Sequence, residues 1–111
     1  MIVARLNPLA VINLAGLATL KASRTVIGAY DIYNANGTVG YIQLFDVASI
    51  NSVTLGTTPP NAVIPLAATS RGANEVSAGL VFLNGLVAAC TTTANGATTV
   101  TTPVSGFLGV E

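Results

Sequence analysis

The chain has very little charge, no histidine and a single cysteine, and each shortage removes something from consideration. Of its 111 residues only 7% are charged, against about 25% in typical soluble domains. Arg5, Lys21, Arg24 and Arg71 balance Asp31, Asp46, Glu75 and Glu111 to a net charge of zero. Four scattered basic residues do not make the clustered footprint that phosphates require, so nucleic acid is not an expected partner. So few charges, summing to zero, also give little repulsion between molecules. The chain either lives with low solubility or has much of its surface covered by neighbours. The second reading is preferred, because extended apolar surface usually marks interaction sites.

With no histidine and with Cys90 as the only cysteine, no zinc ligand set exists. Cys90 has no partner for an internal disulfide, so the fold does not depend on an oxidising compartment. It ends the apolar run "LVAAC", which predicts a buried, inert thiol. There is no Asp-x-Asp-like calcium loop and no glycine-rich phosphate loop. A serine or threonine nucleophile would need an activating base. Lys21 is the sole lysine, and no Ser-x-x-Lys arrangement surrounds it. Asp31 and Asp46 flank the turn of an expected hairpin about four residues apart along the ladder, or roughly 13 Å. That is too far to share a proton. No enzyme activity, cofactor or metal is expected.

What the chain does have is β-pattern. Threonine, valine, isoleucine and tyrosine dominate, and glycine, asparagine and proline punctuate at short intervals. In "YDIYNANGTVGYIQLFDV", residues 30–47, two alternating runs flank Asn36-Gly37, a pair suited to a tight hairpin turn. Tyr41, Gln43 and Phe45 fall on one face of the return strand, and Ile42 and Leu44 on the other. Residues 48–61 read as a long connection stiffened by Pro59-Pro60. "AVIPLA", 62–67, reads as a strand that Pro65 restricts to an edge or a bulge. "ATSRGANE", 68–75, reads as a charged loop. Asn84-Gly85 marks a turn or bulge before a buried strand, Leu86 to Thr92. The Thr-rich stretch 91–102 reads as a hairpin with its tip in water, and "VSGFLGV", 104–110, as a closing strand with close backbone contacts at Gly106 and Gly109. Together these predict an all-β, single-domain antiparallel β-sandwich or jelly roll of about seven to nine short strands.

Residues 1–20, "MIVARLNPLAVINLAGLATL", are apolar, but Asn7, Pro8 and Asn13 break them up too much for a membrane span of about 20 residues. They also lack the continuity of a cleaved leader. No membrane partner is expected. They are read as an apolar arm that pairs with the body or with a neighbour, ahead of a sandwich body at 21–111. Candidate interface residues are Ile2, Val3, Leu6, Leu9, Val11, Ile12 and Leu14 in the arm, with Tyr30, Tyr33, Tyr41 and Phe45 in the body. On this reading, deleting residues 2–18 leaves a folded body that no longer attaches to its partner.

"KAS" at 21–23, "IYNANGTVGYIQLFD" at 32–46 and "GLVFLNGLVAACTTT" at 79–93, in that order, resemble a group of short virion proteins of tailed bacteriophages. The resemblance covers roughly residues 21–93 and leaves out the apolar first twenty. It implies a β-sandwich structural protein of the virion, foremost a capsid cement (decoration) protein. Such a protein would bind the outer surface of the assembled head as a homo-oligomer, with a trimer the expected state, and bridge copies of the major capsid protein. The alternatives are a tail-tip or fibre subunit and, from another class, a carbohydrate-binding module that uses the three tyrosines.

Overall fold

A computed structural model describes residues 6–111 of the chain. Its described residues form eight strands. These are β1 (Asn7–Leu14), β2 (Ala18–Lys21), β3 (Thr25–Asn34), β4 (Gly40–Phe45), β5 (Ala62–Leu66), β6 (Ser70–Phe82), β7 (Leu86–Thr91) and β8 (Val104–Val110). A single 3-10 turn, Ile50–Ser52, lies in the connection between β4 and β5. The strands make two antiparallel sheets, ordered β1-β8-β3-β6 and β2-β7-β4-β5. The expected β-sandwich is the architecture observed.

Its winding is that of a jelly roll. β1 pairs with β8, β2 with β7, β3 with β6 and β4 with β5. The chain is thus one long antiparallel ribbon whose tip is the β4–β5 connection. Rolling the ribbon adds the β3–β8 and β4–β7 pairings. Every link except β4 to β5 crosses from one sheet to the other. Asn7 lies opposite Val110 in the β1–β8 ladder.

That winding corrects the expected hairpin. β3 and β4 lie in different sheets, and residues 35–39 carry the chain across the end of the sandwich from one sheet to the other. Neither Asn36 nor Gly37 has a positive φ, so no tight hairpin turn forms here. Two buried asparagines hold the crossing instead. The Asn34 amide donates to the carbonyls of Thr38, Leu66 and Ala67 at 3.1–3.2 Å. Its Oδ1 accepts from the backbone N–H and the Nδ2 of Asn36. Asn36 in turn donates to the Thr102 carbonyl and accepts from the Thr102 N–H, both at 2.8 Å. Buried backbone groups must find partners, and here two side chains supply them to three separate segments.

Of the two partners expected for the first twenty residues, the described part takes the body. β1 and β2 are edge strands of the two sheets, each paired within the chain. Val11 is 1% exposed and Leu14 2%, both in the main core with Ile27, Ile32, Ile42, Leu44 and Leu108. The described part of the arm is therefore integral to one domain, because the sandwich needs its apolar side chains to fill the space between the sheets. The charged loop expected at 68–75 is also corrected. Arg71 to Glu75 belong to β6, paired with β3. Their polarity reflects an outward-facing strand rather than a loop.

Other elements fall where the pattern put them. β7 is buried along its whole length. β5, with Pro65, is an edge strand. β8 runs so close beside β3 that a Cβ on Gly106 would stand 2.6 Å from the Ile32 Cα. Gly85, with φ +153°, turns the chain between β6 and β7, where a Cβ would meet the Val47 and Lys21 carbonyls at 2.7–2.8 Å.

Candidate functional site

The outer faces of the two sheets differ. Tyr41, Gln43 and Phe45 point out of the second sheet, yet Gln43 and Phe45 are fully buried. The chain's own loops cover them. Val53 and Leu55 from the β4–β5 connection pack with Phe45 and Val87 in a second, smaller core. The loop after β7 contributes the Gly96 carbonyl, which accepts from Gln43 Nε2 at 2.9 Å, while Thr91 Oγ1 accepts from the same nitrogen at 2.8 Å. The two loops meet over the sheet, with Ala97 beside Gly56. The Thr-rich stretch is accordingly a loop with a single bridge, Thr91 to Thr99, that folds back over the sheet.

No described element covers the outer face of the first sheet. Its registers set out three rows across β1, β8, β3 and β6. Pro8, Gly109, Ala29 and Glu75 form one row, and Ala10, Phe107, Asp31 and Ala73 the next. Ser105, Tyr33 and Arg71 continue the third. Tyr33 is 49% exposed and Phe107 44%. Between Phe107 and the outer strand β6 lies an open depression of about 500 Å³. Ala29, Asp31, Ala73, Asn74 and Glu75 are among the residues that line it.

Charge on this face is organised by one ion pair. Arg71, on β6, grips the Asp31 carboxylate, on β3, through Nε and Nη2. The hydrogen bond from Arg71 holds the Asp31 carboxyl below its ordinary value, and the same bond raises Arg71. Asp31 is 18% exposed and Arg71 67%, so the guanidinium remains open to a further acceptor. Asp46 is far from Asp31 in the topology, at the end of β4. It caps the turn after β6 by accepting from the Asn84 N–H at 2.8 Å. Among the described residues no three acids or cysteines gather as a metal site. Burial pushes the Cys90 thiol up to about 11, which suits the inert thiol read from its apolar run. No helix among the described residues is long and apolar enough to cross a membrane.

The candidate interface residues divide sharply. Leu6 is exposed and lies against the Gly28 and Gly109 backbones, and Tyr33 is exposed. Leu9 and Tyr30 are partly buried against the main core, and Tyr41 is half-buried. Val11, Leu14 and Phe45 are core residues that present nothing to a partner. Ile2 and Val3 lie outside the described residues, as does the side chain of Ile12. Sequence reasoning missed Phe107, Arg71 and Glu75. Phe107 sits in a strand whose facing could be fixed only by its β1 and β3 neighbours. Arg71 and Glu75 were hidden by reading their strand as a loop.

No family model, no curated protein and no solved structure matches this chain.

Proposed function

We propose that the chain is a structural subunit of a bacteriophage particle, a cement protein that binds the outside of the assembled head as a small homo-oligomer and bridges capsid subunits. The observation that carries the reading is the contrast between the two sheet faces. One is roofed by the protein's own loops. The other leaves Tyr33, Phe107 and a shallow depression bare on a protein with only eight charges. A bare face of this kind is what a subunit docked on a larger surface would use. Jelly rolls occur among viral capsid domains and lectins alike, so the sandwich is compatible with the reading and does not by itself select it. The sequence resemblance over residues 21–93 favours the virion.

Binding only to the assembled shell would stabilise that shell by mass action, and many copies would reinforce one another. The contact would fall on the outer face of the first sheet, since Val11 and Leu14 are committed to the core. Quantitative mass spectrometry of purified particles tests this. Hundreds of copies per particle are expected, a handful would move the protein to the tail, and absence from the particle would end the reading.

A further inference from the structure

We propose that two copies of this chain join edge to edge through β6, as an antiparallel pair centred on Ala73, to make one continuous eight-stranded sheet. Exposed sheet edges are templates for pairing, and proteins normally blunt them. Three of the four edges here are blunted. β1 carries Pro8, which has no N–H, and Asn13 with φ +53°. β5 carries Pro65. β2 has only four residues and ends in Lys21. β6 has no proline, and among the described residues no strand pairs with its outer side.

The register is fixed by the strand itself. From Ser70 to Glu75, β6 runs regularly beside β3. It then bulges at 76–79, where Gly79 takes φ +74°, and re-enters the ladder at Leu80. The stretch before the bulge is longer than the 80–82 ladder beyond it and offers the partner strand more pairs. A two-fold axis perpendicular to the sheet must pass through a residue pair, because paired side chains share a face. Centring it on Arg71 or on Glu75 sets like charges opposite each other. Gly72 or Asn74 as centre leaves both charges unmatched. Centring on Ala73 places Arg71 of each copy opposite Glu75 of the other, on the exposed face, with small Ala73 side chains meeting at the axis. Opposite charges directly across a ladder favour pairing. Arg71 then sits between its own Asp31 and the second copy's Glu75. The depressions beside Ala73 become one trough spanning the axis.

This arrangement closes with two copies, in contrast to the trimer expected from the resemblance. It rests on sheet geometry and charge and does not need the chain to be a virion protein, so absence from particles would leave it standing. Ala73→Cys tests it directly. Opposed residues of an antiparallel pair have Cα atoms about 4.5–5.5 Å apart, within disulfide range, and buried Cys90 does not compete. Under mild oxidation the variant is expected to cross-link into a covalent dimer, while Ala10→Cys, on the opposite edge of the same face, stays monomeric. Sedimentation of the unmodified chain should show a dimer. Glu75→Lys, which sets two like-charge pairs across the axis, should weaken it roughly tenfold. Equal cross-linking at positions 73 and 10, a trimer in sedimentation, or association unchanged by Glu75→Lys would each overturn the pairing.

Discussion

Asn34 shows how much one side chain can hold in this fold. Its amide serves the carbonyls of three residues on two segments, and its oxygen fixes Asn36. Replacing it by alanine strands those buried groups, each worth about 1–3 kcal/mol when unpaired. Asn34→Ala is therefore expected to destabilise the protein by about 3 kcal/mol, read as a drop in the urea midpoint. The same residues explain a misreading. Asn-Gly between alternating runs signals a tight turn because asparagine tolerates positive φ. Asparagine can equally serve backbone groups with its side chain, and sequence alone does not separate the two uses. Titration behaves differently at two other residues. Asp31 has its pKa lowered, so its contribution is present above its ordinary 3.8 and lost as pH falls through the lower folded value. Cys90 has its pKa raised, so its contribution is intact below the ordinary 9.0 and lost as pH rises toward about 11. Stability measured from pH 8 to 11 should fall less in Cys90→Ala than in the parent, relative to each protein at pH 8.

Strand positions were legible because alternation and turn residues are local signals. β4, β7 and β8 lie close to where the pattern put them. Strand partners were not legible. A run such as Thr25–Asn34 is equally good in a hairpin or across a sandwich, and only the roll decides. Thus Asp31 meets Arg71 of β6 rather than a residue of β4. The first strand shows the consequence most clearly. Its apolar residues looked like an interaction arm because nothing local reveals that Val110 and its neighbours, a whole chain length away, are their partners. Deleting residues 2–18 is now expected to unfold the protein rather than free a stable body, visible as loss of the cooperative thermal transition. Leu14→Ala, a milder cut at the same element, should cost about 2–5 kcal/mol. At β8, Gly106→Ala should disrupt the β3–β8 pairing by forcing backbone apart, at a cost of about 3 kcal/mol. A normal unfolding midpoint for that variant would contradict the observed approach.

For the molecule as a whole, the ribbon winding makes nearly every pairing non-local. Loop-closure entropy must be met before those pairings stabilise anything, so folding is expected to be slow, on the order of seconds. Stopped-flow refolding checks this. Function also separates by side at this scale. Loops seal one face, whereas no described element covers the opposite face or pairs with its β6 edge. The β1–β8 ladder has a further consequence. Since Asn7 stands beside Val110, the two ends of the described chain lie at one corner of the sandwich. A short glycine-serine bridge could join them, and a new start could be opened near Gly56 in the covering loop. Such a circular permutant should keep the same roll and unfold in one cooperative transition.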